Sequence, residues 1–110
     1  MILEKEKSAC IESMHTAITK TRDWRGRLAE QYPQDTRNKR AEVKLAKLAD
    51  QTSSLTNQHW DVLKPFFNEQ PTRWRDCLSQ ATRQIGFAHK TTSFPFFVRN
   101  VISFLQTEKV

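Results

Sequence analysis

A chain of 110 residues, 37% hydrophobic and 27% charged, is sized for one domain, because a second core would starve the first. Only two Gly and four Pro, with apolar residues regularly spaced, exclude collagen-like, linker-like and wholly disordered chains. Eighteen basic against twelve acidic residues leave a net charge of +6, which favours an acidic partner such as nucleic acid.

The first segment, from about Leu3 to Tyr32, places Leu3, Cys10, Ala17 and Trp24 seven apart, with Met14, Thr21 and Leu28 on an interleaved series and Ile11 and Ile18 widening the stripe. Such spacing predicts one long amphipathic helix, with Gly26 a local weak point. Tyr32-Pro33 ends it, since a residue before proline is pushed out of the helical region. After the turn Pro33-Gln34-Asp35, a second helix capped by Asp35 or Thr36 is expected to run to about Thr52, with Ala41, Leu45, Leu48 and Thr52 on its narrow apolar face. The short link makes the two helices an antiparallel hairpin. The second face is too small to cover helix one alone, so a third element or a partner chain is expected to complete it.

In the third segment, Thr56 as N-cap sets Leu55 and Trp60 as a hydrophobic staple, with Trp60, Leu63 and Phe67 on one face. Pro65 predicts an end or a kink near Leu63. Pro71 suits the first turn of a fourth helix carrying Trp74, Leu78, Ala81 and Ile85, with Gly86 placed to stop it. A last helix, capped by Thr92 or Ser93 with Pro95 in its first turn, presents Phe94, Phe97, Val98, Val101, Ile102 and Leu105. The expectation is an all-α protein: a long N-terminal helical hairpin (residues 1–53) followed by a compact three-helix lobe (residues 54–110), forming one structural unit.

The basic residues concentrate on the second helix. Arg37, Arg40, Lys44 and Lys47 recur at spacings of 3, 4 and 3, flanked by Lys39, and each of the last three precedes an apolar residue. A rotation of about 100° per residue therefore turns the stripe away from the buried face and into solvent, over a length of about 15 Å. Such a stripe can meet several phosphates; the bland reading is a solvated face. Lys20, Arg22, Arg25 and Arg27 lie at the end of helix one that the turn brings beside Arg37 and Lys39. Trp24 among them could stack on an unpaired base, although its place on the heptad series reads first as core. Arg73, Arg75 and Arg83 give the fourth helix the outline of a helix-turn-helix reader, without the usual turn glycine.

The last third also resembles the C-terminal helical module of DnaD-like replication and primosome proteins. Trp74, Leu78 and Ala81, then Gly86, then Phe97, Val98, Val101, Ile102 and Leu105 stand where that family has W/F-x-x-x-L-x-x-A, a glycine-bearing loop and Y-I-x-x-I-L. The match covers about 40 residues of mostly apolar positions, with Phe97 in place of the usual Tyr. The resemblance implies a DNA-associated replication accessory.

Catalytic signatures are missing from the pattern. His15, His59 and His89 lie on different segments, Cys10 and Cys77 have no metal-ligand or C-x-x-C spacing, and two glycines cannot build a phosphate cradle. Both cysteines fall on apolar faces and are expected as buried, reduced thiols. The longest apolar run, about five residues, is far short of the roughly 20 that cross a membrane, and MILEKEKSAC lacks a leader's apolar core. The expectation is a soluble, cytoplasmic, non-catalytic nucleic-acid-binding protein or small subunit of a nucleoprotein complex, of replication or CRISPR-type defence, needing no cofactor. The alternative is a phage- or plasmid-type inhibitor or adaptor that binds a protein partner, or a second copy of itself, through helix one.

Overall fold

The computed structural model describes residues 2–69 and 71–85 together with positions 99, 101 and 103. These form α1 (Ile2–Gln31), α2 (Thr36–Gln58), α3 (Trp60–Glu69) and α4 (Pro71–Arg83), with positions 99, 101 and 103 also helical. The protein is all-α: two long helices packed together, followed by shorter ones. Gly86 and most of the expected last helix lie outside the described residues; of that helix's apolar face, Val101 is described, and it is buried.

α1 and α2 form the antiparallel hairpin that the short turn dictates. Asp35 is the N-cap of α2, in extended conformation, its carboxylate accepting from the Arg37 backbone N–H at 3.1 Å. α1 runs unbroken through Gly26. A Cβ at that glycine would stand 2.5 Å from Glu42 Oε2, so the missing side chain lets the α2 carboxylate lie against α1.

Two boundaries differ from the expectation. α2 does not end near Thr52 but continues to Gln58, because its buried series Asn38, Ala41, Leu45, Leu48 and Thr52 extends one more turn to Thr56. Thr56 is therefore no N-cap: it is fully buried, its hydroxyl donating to Met14 Sδ at 3.7 Å. The break falls at His59, whose N–H donates to Leu55 O while its own carbonyl accepts from Val62 and Leu63, all at 3.1 Å. One residue thus closes α2 and opens α3. Pro65 neither ends nor stops α3, which continues to Glu69. Proline removes one backbone donor; burial of Trp60 and Leu63 and packing of Phe66 and Phe67 on the core hold the helix through it.

α4 lies against α1 in the same sense. Trp74 Nε1 donates to Ser13 Oγ at 3.3 Å, and Thr21 Oγ1 donates to Thr82 Oγ1 at 3.2 Å, a constant offset of 61 positions. The third element that helix one requires is α4. One core runs through all four helices, with Cys10, Met14 and Ile18 from α1, Leu45 and Leu48 from α2, Trp60 and Leu63 from α3, and Trp74, Cys77, Leu78 and Ala81 from α4. Phe67 joins α3 to α4, its ring 6.5 Å from Trp60 and edge-on to Trp74 at 5.7 Å. Such aromatic pairs add to the area they bury.

Candidate nucleic-acid interface

The stripe on α2 stands on its outer face: Arg37, Arg40 and Lys47 are exposed and Lys44 is half-buried, and the flanking Lys39 is exposed beside a half-buried Glu42. Its members are not equivalent. Arg37 makes a two-pronged pair with Asp35, Nε to Oδ1 at 2.9 Å and an Nη to Oδ2 at 2.7 Å, and Lys39 pairs with Glu42 at 2.9 Å. Arg40 donates to the Thr36 hydroxyl at 3.2 Å. Among the described residues, Arg40, Lys44 and Lys47 make no ion pair. These three are the charges of the stripe without an acid paired to them among the described residues, while Arg37 and Lys39 are matched by acids on their own surface.

The Asp35–Arg37 pair has a pH signature. Hydrogen bonds from the Arg37 side chain and backbone N–H hold the Asp35 carboxyl down at about 2. The unfolded value is near 3.9, so the pair's contribution is fully present above about pH 4 and is lost as pH falls through about 2. Asn caps a helix as well as Asp does. Asp35→Asn is therefore expected to keep α2 while removing this acid-dependent component from melting curves, and to release Arg37 for binding.

The arginines near the end of α1 divide. Arg22 is half-exposed and bonds Asp23 at 3.3 Å, and Arg27 is exposed. Arg25, expected among the surface contacts, is only 3% exposed. Its guanidinium donates to Asn38 Oδ1 at 3.0 Å and to the Arg83 and Ile85 carbonyls at 3.4 Å, and it lies 5.0 Å from the Trp24 ring centroid. Burial and the neighbouring Arg37 lower its pKa. It ties the start of α2 and the end of α4 to α1, so it leaves the contact set. A cation at the C-terminal end of α4 also suits the last helix carbonyls there, which have no donor within the helix.

The period explains the misplacement. On a straight helix a seven-residue series drifts by about 20° per heptad. The buried line is Cys10, Met14, Ile18, Thr21 and Arg25, whereas Ala17 is half-buried and Trp24 is 36% exposed. A 3.6-residue period through Met14 finds Cys10, Ile18, Thr21 and Arg25; the heptad series through Trp24 passes Arg25 by.

Trp24 and its neighbours border a trough between α1 and α4. One hollow of about 560 Å³ is lined by Lys20, Trp24 and Arg27 from α1 and Ser79 and Arg83 from α4. A second, about 530 Å³, adjoins it across Ala17, Lys20 and Ser79 and extends to Arg75 and Glu12. On its other side Trp24 helps to line a smaller hollow with Leu28, Tyr32, Asp35 and Arg37. Arg75 is exposed beside α1, while Arg73 is half-buried and lines none of these hollows. The sequence named Lys20, Arg75 and Arg83 on separate helices; the same-sense packing of α4 on α1 brings them together.

Burial holds the Cys10 thiol up at about 12, so it is no thiolate at neutral pH. Among the described residues no cluster of His, Cys, Asp and Glu could hold a metal ion, and no helix is long and apolar enough to cross a membrane. No family model matches the chain, and no similar curated protein or solved structure was found. Fold and surface together define an all-α protein with two basic features, a stripe on α2 and a trough between α1 and α4.

Proposed function

We propose that the protein is a non-catalytic nucleic-acid-binding protein or small subunit of a nucleoprotein complex, holding phosphates through the outer face of α2. The observation that carries this reading is the run Arg40, Lys44 and Lys47, three cations at helical spacing on one face, with no acid paired to them among the described residues. A solvated face built only for solubility gains from interspersed charges of both signs; this run is of one sign over two turns. The DnaD-like pattern would set such a protein among replication accessories. Its residues Trp74, Leu78 and Ala81 are buried against the core, a use that any helical core makes of such positions, so the charges support the reading and the pattern adds only a setting.

The partner-protein alternative began from an uncovered helix one. Met14 and Ile18 are buried within the chain itself, so no observation now favours it.

Fluorescence anisotropy with single-stranded DNA, duplex DNA and RNA over a range of salt tests the proposal. Three phosphate contacts to duplex DNA give a log–log salt slope of about −2.7, and reversing Arg40, Lys44 and Lys47 to Glu is expected to remove that contribution. Asp35→Asn is expected to steepen the slope by up to about 0.9 as Arg37 joins the stripe. Absence of binding to all three at about 100 mM salt would overturn the reading.

A further inference from the structure

The trough between α1 and α4 combines features that the α2 stripe lacks. Lys20, Trp24 and Arg27 recur at 4 and 3 along α1, and Arg75, Ser79 and Arg83 at 4 and 4 along α4, so each helix turns one face into the trough. The lining holds four cations and a single acid, Glu12. Trp24, at 36% exposure, is the one tryptophan open to solvent; Trp60 and Trp74 are buried. Arg25 lies against its ring, and that guanidinium is in turn fixed to Asn38 and to the end of α4, so the indole is held in place before any ligand arrives.

We infer that this trough takes an unpaired stretch of nucleic acid, with one base stacked on Trp24 and phosphates met by Lys20, Arg27 and Arg83. The inference rests on the nucleic-acid reading above and adds the strand type and the place of the base. Width argues for a single strand. Packed helices stand about 8–10 Å apart between axes, too close to admit a duplex between them, whereas a splayed strand can lay a base along the floor. Each hollow falls in the size range of small-ligand sites. Stacking on an aromatic ring flanked by cations is the usual chemistry of strand binding without base-pair readout. Trp24 also helps to line the hollow that contains Arg37, so the trough and the first residue of the α2 stripe meet at this ring.

All three tryptophans fluoresce, but Trp60 and Trp74 are buried out of reach of a stacked base, so quenching of the full chain by a bound strand reports on Trp24. Titration with a twelve-nucleotide oligothymidylate is expected to quench it saturably, with the same midpoint as anisotropy, while a hairpin duplex leaves it unchanged. Trp24→Leu, with its circular dichroism intact, is expected to bind the oligonucleotide about 5- to 100-fold more weakly. Should that variant fail to fold, the double variant Lys20→Glu with Arg83→Glu keeps the indole and is expected to lose the quenching. Binding that depends on Arg40, Lys44 and Lys47 but leaves Trp24 unquenched overturns the inference and spares the nucleic-acid reading. Equal quenching by polyglutamate also overturns it, leaving a trough for acidic peptides. Failure to bind any nucleic acid overturns both.

Discussion

Ile18→Asp is expected to unfold the whole chain, not merely the hairpin. Ile18 is 0% exposed, in a core that also draws on α2, α3 and α4. The substitution removes a buried aliphatic side chain and puts a carboxylate in its place, where it must either lose its hydration or take up a proton. Either way the cost is several kcal/mol, comparable with the roughly 5–15 kcal/mol that holds a domain of this size together. Far-ultraviolet circular dichroism should lose its helical signal, and the near-ultraviolet bands of Trp60 and Trp74 should disappear with it. A variant that lost α1 and α2 while keeping those bands would show that residues 54–110 fold independently of the hairpin.

Arg25→Met is expected to cost about 2–4 kcal/mol, seen as a fall of about 10–20 °C in melting temperature. Two effects oppose each other. Burying a guanidinium beside neutral acceptors carries a desolvation cost, which methionine would relieve. Against that, Asn38 Oδ1 and the Arg83 and Ile85 carbonyls lose their donor, and a buried acceptor left alone costs about 1–3 kcal/mol. Three acceptors outweigh one relieved charge, so destabilisation wins. Arg25→Met with Asn38→Leu should recover part of the loss, because an apolar pair replaces a broken polar one. A single variant as stable as the parent would mean that the guanidinium's bonds merely offset its burial.

Periodicity made the helices legible, and punctuation made some of their ends legible. Tyr32-Pro33 and Pro71 mark real boundaries because proline constrains backbone locally, whatever surrounds it. Thr56 misled because its capping chemistry was equally compatible with a buried hydroxyl finding Met14 Sδ, a choice that only tertiary packing makes. The helix end that Pro65 offered near Leu63 is not taken, and α3 continues to Glu69 with Phe66 and Phe67 packed on the core. The stripe on α2 could be read in full, being a property of one helix. The Asp35 and Glu42 pairings within two or three residues were local too, and the spacing of the acids was their available signal. The trough was illegible because its walls come from two helices whose relative direction no motif records.

The offset of 61 positions between α1 and α4 has a kinetic meaning. The hairpin closes across the short turn between Gln31 and Thr36, whereas seating α4 closes a loop containing all of α2 and α3. Loop-closure entropy makes the longer closure costlier by about 2 kcal/mol, which local contacts along the hairpin do not bear. Folding accordingly begins with α1 against α2, and α4 arrives on a surface already formed. The trough is thus the last seam of the molecule to be sewn.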